Sequence, residues 1–591
     1  MKRIEQNEKD TWDLAMMFDK NNLTNDLKEI DLLVNDLSKY ETLELNKALV
    51  IEILEHYYHL LIKIENIYVY YSHQLDTDFN NSTYLSEFQY LEQYYNNLST
   101  KTAFIMPKIS QVTDEILNDI INDHDLVNYH KVIKDIIHNK KRFLSIKEEH
   151  IISSYGLIDS VPYQIFSSFS NADLKFKPVK DAHGKEYDLT EGTYSILIRD
   201  QDQTLRKNAF LALLKGYGEF NHTLATTYIS ELKNSYLSMK NRHYSSTLEQ
   251  ALEPKQISID IYYNLLNTIE NNLHINHQYL ALRQEILGVE SLHLYDVYVS
   301  LVPSVDYQYD YLKAQSLVKK ALKIMPDEYQ DVLNEAFSNR WIDVYENEGK
   351  RSGAYSGGSY LSNPYILLNY HNNINDVFTL IHELGHSLHS YFANKYNPYQ
   401  NANYKIFVAE IASTVNELIL VNYLLQNTDE AAMKKYLYNY LLEQFRTTLV
   451  RQTMFARFEL EAHQLMEENK PLSFEVLNDL YYHINEQYFG DDMVIDEEIK
   501  YEYLRIPHFY YNYYVYQYAT SFSIALNIVK RINNKETGFL DKYLAFLKLG
   551  DSLLPIDAIK TLDIDLTSSD IFESAMLEYQ SVIELFKNVA L

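Results

Sequence analysis

His382, Glu383 and His386 stand in the pattern His-Glu-Leu-Gly-His, a spacing that suits two side chains to hold a metal ion and a third to work beside it. An α-helix turns roughly 100° per residue, so positions four apart lie one turn apart on nearly the same face. His382 and His386 can therefore share one ion. Glu383 is rotated about 100° from His382, which sets it beside the ion rather than on it, where a carboxylate can take a proton from a water.

That geometry requires a helix, and the flanks supply one. Asp376-Val377-Phe378-Thr379-Leu380-Ile381 enters the motif without Gly or Pro, and the apolar pattern continues through Phe392-Ala393. It stops at Asn397-Pro398, because the residue before a proline is pushed out of helical angles. Asp376 caps the start or lies in the first turn. Gly385 costs about 1 kcal/mol relative to Ala inside a helix, which predicts that another backbone packs closely at that point.

A structural zinc site uses four protein ligands, whereas a catalytic one uses three and keeps a position open. A third ligand is therefore needed. Phe407 to Leu418 is a second uninterrupted helical pattern, with Glu410 and Glu417 two turns apart on one face. The chain between His386 and Glu410 is long enough for a turn and a packed helix to return a carboxylate to the metal. Read by itself, Glu410 is better described as a solvated helix carboxylate.

The elements that must carry this site are mostly helical. Only 14 Gly and 11 Pro occur in 591 residues, and long stretches such as Leu27 to Tyr71 keep a helical period. A chain of this length exceeds one ordinary core, so two or more lobes are expected. We place a boundary near 190, where Asp188 to Tyr194 reads as a break: residues 1–190 form a helical N-terminal portion and 191–591 the metal-bearing portion. Gly353 to Tyr360 alternates small and aromatic residues as a short strand does, and Leu361-Ser362-Asn363-Pro364 reads as the turn into another. A small β-sheet thus precedes the metal helix. Its edge could accept an extended peptide by main-chain hydrogen bonds, or serve only as a hairpin beneath the helix.

The absence of cysteine excludes disulfides, thiolate catalysis and cysteine metal sites. The first ten residues are charged and lack the apolar core of a signal peptide, and no apolar run reaches transmembrane length. A cytoplasmic protein without membrane association is expected. The net charge of −29 argues against nucleic acid as a partner, since phosphate binding requires a basic patch.

The string HELGHSLHSYF, followed by IFVAEIASTVNE, resembles the zinc signature and third-ligand helix of the thimet-type zinc oligopeptidases, and within them the oligoendopeptidase F branch. Arg351 to Tyr360, Asn363 to Tyr370 and Arg505-Ile506-Pro507-His508-Phe509-Tyr510-Tyr511 extend the resemblance. Weaker similarity at Trp12-Asp13-Leu14 and Tyr295-Asp296-Val297-Tyr298 carries it across nearly the whole chain.

The resemblance implies a mainly α-helical, multi-lobed metallopeptidase with a deep substrate channel, one Zn2+ per chain held by His382, His386 and Glu410, and Glu383 as general base. It implies short peptides as partners, cut internally. Relatives use a histidine and a tyrosine as oxyanion donors; His508 matches the first, and Tyr514 is our choice for the second, with Tyr511 and Tyr518 as alternatives. Tyr511 and Tyr518 are otherwise expected on the substrate path, together with Gly353 and Ala354. The metzincin pattern fails, because His389 stands where it requires Gly and Phe392 where it requires a third His. His389, Asp376 and Glu417 are candidates to orient the ligands. A zinc carboxypeptidase of similar helical architecture shares this metal site. A silent peptide-binding relative would lack Glu383 or a ligand, and all four residues are present here.

Overall fold

The computed structural model describes residues 2–145, 148, 151–152, 158–302 and 307–589. They form two compact units, each assembled from three pieces of chain. The first comprises Met1–Ile146, Asp306–Leu424 and Ile528–Ile564; the second comprises Lys147–Val305, Leu425–Asn527 and Asp565–Leu591. Residue 190 falls inside the second unit, just before the short helix Glu191–Leu197.

In the first unit, the periodic stretch from Leu27 to Tyr71 lies in two helices, Leu23–Ser38 and α1 (Lys47–Thr77). A 3-10 turn at Lys39–Glu41 ends the first, and the Asn46 side chain starts α1 by accepting from the Leu49 amide at 3.0 Å. Trp12 ties this helical layer to the sheet. Its indole stacks on His73 at 4.9 Å, while its Nε1 donates to the carbonyls of Trp341 and Ile366 at 2.9 and 2.8 Å. A buried indole needs such a partner.

The sheet has three short strands, β1 (Ile342–Asp343), β2 (Tyr355–Gly357) and β3 (Tyr365–Leu367), with β3 in the centre. β1 runs parallel to β3, and β2 runs antiparallel to it with Ser356 opposite Ile366. The central strand reads Tyr-Ile-Leu and is buried throughout, as expected where both faces are covered. The expected strand from Gly353 to Tyr360 is shorter because Gly353 sits at φ +83 and turns the chain before it. β2 is left as an edge.

Two helices follow, α2 (Ile374–Tyr396) and α3 (Ile406–Gln426). A reciprocal cap starts α2: the Asn373 side chain accepts from the Asp376 amide, and the Asp376 carboxylate accepts from the amides of Asn373 and His371. Asp376 therefore starts the helix and leaves the ligands to other residues. α2 ends at Tyr396, with Asn397 extended before Pro398. In contrast to the expectation that no apolar run has transmembrane length, α3 is long and apolar enough to qualify; most of it is buried, as in a core helix.

The second unit is a helical assembly around Asn221–Asn241, Ile259–Asn271, α4 (Arg451–Glu467) and Phe474–Phe489. Its interior explains part of the chain's 54 tyrosines. Tyr481, Tyr488 and Tyr279 bury their rings and donate their hydroxyls to Glu502, Glu270 and Glu443. A phenol fills apolar space and still satisfies a carboxylate.

Candidate metal centre

Gly385 decides how α2 and α3 meet. A Cβ at this position would stand 2.5 Å from the Cα of Ser413 and 2.7 Å from the carbonyl oxygen of Ala412. Only a hydrogen there allows the two backbones to lie so close, which accounts for a glycine in the middle of a helix. Asn416 adds a polar tie, donating to the Ile381 carbonyl at 3.3 Å while accepting from the Tyr329 hydroxyl at 2.9 Å. On the opposite flank the hydroxyls of Ser387 and Ser356 bond at 2.7 Å, joining α2 to β2.

This packing brings Glu410 to the histidine pair. The Nε2 atoms of His382 and His386 are 3.2 Å apart, and the nearer Glu410 oxygen lies 3.6 Å from the first and 3.5 Å from the second. A tetrahedral ion with bonds of the usual zinc length spaces its donors about 3.3–3.6 Å apart. The three atoms therefore form one face of a tetrahedron that fits a metal ion. His382, His386 and Glu410 are the group able to do this among the described residues.

The surroundings prepare the donors. His382 Nδ1 donates to Glu417 at 2.5 Å, which turns Nε2 into the donor triangle as the atom that offers a lone pair once the ring is neutral. Burial pulls the His382 imidazole down, but the Glu417 hydrogen bond and the charges of Glu417, Glu383 and Glu410 outweigh it and hold the group at about 9. Burial likewise raises Glu410, yet the His386 and His382 imidazoles and the Ser413 hydroxyl bring it down to about 2. The field that keeps a proton on His382 and charge on Glu410 is one that attracts a divalent cation, whose binding would release that proton.

Glu383 is buried beside the triangle and outside it. Burial raises its pKa, opposed by the two imidazoles. A carboxyl moved upward is a better proton acceptor near neutral pH than an exposed one. His389 takes no part: it is buried, stacked on Tyr404 at 3.7 Å, and held neutral by burial with a pKa of about 3.

His508 lies on a 3-10 turn, Pro507–Tyr510, in the second unit. Its ring is surrounded by Tyr511, Tyr514 and Tyr518, with centroids 5.9, 6.0 and 6.1 Å away. The four residues singled out in this segment thus form one aromatic cluster. Burial lowers the His508 pKa, so the ring is a neutral donor near pH 7. Gly353 and Ala354 lie in the first unit, immediately before the edge strand β2. Glu417 was among the residues the sequence offered to orient the ligands, whereas Ser413 was not. Glu417 shares a helix face with Glu410 two turns on, and that spacing was its signal. The Ser413 contact depends on a rotamer, which no spacing reveals.

Two helices that close a His-His-Glu triangle with a carboxylate beside it make up the site of a helical metallopeptidase. Comparison with known proteins agrees: residues 196–578 match peptidase family M3, and residues 108–176 match oligopeptidase F. The chain is 38% identical over 591 residues to oligopeptidase PepF of Bacillus subtilis, covering 98% of this chain and 87% of that one. It is 36% identical over 590 residues to an oligoendopeptidase F homolog of Borreliella burgdorferi, covering 99% of each. Its fold is similar to the crystal structure of oligoendopeptidase-F from Enterococcus faecium, with a TM-score of 0.75 at 30% identity over 96% of this chain and 99% of that one. The chain belongs to peptidase family M3, in its oligoendopeptidase F branch.

Proposed function

We propose that this chain is a zinc-dependent oligoendopeptidase that hydrolyses internal bonds of short peptides, with His382, His386 and Glu410 as the metal ligands and Glu383 as the general base. The observation that carries this reading is the donor triangle with edges of 3.2, 3.5 and 3.6 Å, flanked by a buried carboxylate that does not join it. Two imidazoles and one carboxylate suit zinc, which when bound supplies a Lewis acid that polarises a carbonyl and brings the pKa of a water to about 7.

The chain's own residues do the rest. Glu383 accepts a proton from the attacking water and delivers it to the leaving nitrogen. Glu417 holds His382 in one tautomer and orientation. His508 donates to the carbonyl oxygen as it gains negative charge, and Tyr514 adds a phenol to the same oxyanion, with Tyr511 and Tyr518 as the other candidates. The edge of β2, approached through Gly353 and Ala354, takes the extended substrate by main-chain hydrogen bonds, which read backbone rather than side-chain identity.

The test is metal content together with cleavage of an end-blocked, internally quenched peptide, for wild type and Glu383→Gln in parallel. The expected result is one zinc in both proteins and cleavage by the wild type alone. Cleavage confined to peptides with a free C-terminus would mean a carboxypeptidase, and a protein that takes up no zinc would sink the site.

A further inference from the structure

A cavity of about 440 Å³ opens within the first unit along the flank of α2. Its lining includes Glu65 from α1, Tyr360, Ser390 and Asn394 from α2, Tyr399 and Tyr404. Ser390 and Asn394 follow His386 by one and two helical turns on the same face, about 6 and 12 Å along the axis. Ala409, the residue before Glu410, also borders the cavity. The cavity therefore borders the stretches of α2 and α3 next to the donor triangle, one to two turns beyond His386, without including the donors themselves.

It also continues the edge strand. Gly358 and Tyr360, just beyond β2, form part of its wall. A peptide laid along that edge would advance about 3.3 Å per residue, so the offset of about 6 to 12 Å along α2 corresponds to about two to four residues.

The chemistry of the wall favours a cation. Glu65 is half-buried and accepts a hydrogen bond from the Tyr360 amide at 3.0 Å. Among the described residues no Lys, Arg or His pairs with it, and burial raises its pKa. Tyr360 and Tyr399 meet edge to face at 5.4 Å beside it, offering ring faces of the kind that attract ammonium and guanidinium groups. A carboxylate taken partly out of water without a counter-charge is costly until a cation arrives.

We propose that this cavity is a subsite for a positively charged group of the peptide, two to four residues from the bond cut, with Glu65 as its partner. The inference rests on the peptidase reading above and assigns a preference to the same site. The charged group is a Lys or Arg side chain or the peptide's own terminal ammonium.

The test compares end-blocked quenched peptides that carry Lys, norleucine or Glu at one position at a time on each side of the scissile bond. In the wild type, kcat/KM for Lys should exceed that for norleucine by about tenfold at one position, the equivalent of about 1.4 kcal/mol. The Lys-to-norleucine ratio should fall to within about twofold in Glu65→Gln, and partly in Glu65→Asp, which keeps the charge but draws it back by one methylene. Peptides shortened so that a free or acetylated terminus falls at that position tell side chain from terminal amine. No Lys preference at any position, or a preference untouched by Glu65→Gln, would overturn the proposal. If no reference peptide is cut, the peptidase reading fails separately; binding of the same peptides to zinc-loaded protein by fluorescence anisotropy then decides, with tighter Lys binding that needs Glu65 in favour and equal binding against.

Discussion

Gly385 of α2 lies directly against the backbone of Ser413 in α3, so close that a methyl group at 385 would stand 2.5 Å from the Ser413 Cα. Ser413 stands three positions after Glu410, and its hydroxyl donates to the Glu410 carboxylate at 3.0 Å. The helix contact that a glycine permits is therefore the same contact that brings Glu410 to the His382–His386 pair.

Gly385→Ala separates two effects of opposite sign. Alanine favours the isolated helix by about 1 kcal/mol, but the clash is with backbone, which cannot rotate away, and overpacking of this kind costs about 1–3 kcal/mol. The expected outcome is a lower midpoint in denaturant and substoichiometric zinc, because the helices part and Glu410 withdraws. Full zinc content with unchanged stability would refute this account of the contact.

Glu417 acts on the metal only through His382. Glu417→Ala removes the acceptor that fixes the imidazole, and loss of such a partner weakens metal binding about 10- to 100-fold. Competition with a zinc chelator measures it directly. Glu417→Gln keeps an oxygen that accepts from Nδ1 and should lose less; equal affinity in wild type and the Ala variant would count against the role.

The aromatic cluster around His508 makes a sharper demand on the chemical step than on the metal. His508→Ala should lower kcat by about 10²- to 10³-fold with zinc content unchanged, the usual cost of an oxyanion donor. Tyr514→Phe, which removes only the hydroxyl, should show a loss of the same kind. Full activity in Tyr514→Phe together with a loss in Tyr511→Phe or Tyr518→Phe would transfer the role to that tyrosine.

Glu459 gives the second unit a pH dependence of its own. It is buried, its Oε1 accepts from the Tyr513 amide, its Oε2 has no hydrogen-bond partner among the described residues, and burial raises its pKa to about 8. Between about 4.5 and about 8 the folded protein keeps a proton that the unfolded chain has released. Its contribution is therefore complete below that window and is lost as pH rises through it. Glu459→Gln lacks the titration. Its stability relative to wild type should rise from pH 5.5 to pH 8.5 in urea unfolding, and a difference constant across that range would contradict the assignment.

Much of the metal centre was legible because it is local. His382, Glu383 and His386 share one helix, and the helical period alone sets which of them face the same way. The break at Asn397-Pro398 and the anomaly of Gly385 were readable for the same reason, since each is a property of backbone angles at a single position. The scarcity of Gly and Pro likewise announced a helical protein.

Distance along the chain marks where that legibility ended. Glu410 and Glu417 were visible as a pair on one face, but spacing could not say which imidazole atoms each would meet; the contact at Gly385 sets the helix offset that puts Glu410 beside the Nε2 atoms of His382 and His386 and Glu417 on the His382 Nδ1. The tyrosines around His508 were too numerous to rank, because a phenol's role depends on where its hydroxyl is held. The interleaving of the two units from three chain segments each was equally hidden, since a helix's apolar face records that it is covered but not by which helix. Glu65 is the clearest case. In sequence it is one carboxylate on a long amphipathic helix, and only the folding of α1 beside Tyr360 and Tyr399 makes it the acid of a cavity. Periodicity determines local geometry through steric limits on the backbone, whereas partners are chosen by packing, which depends on the shape of the whole chain.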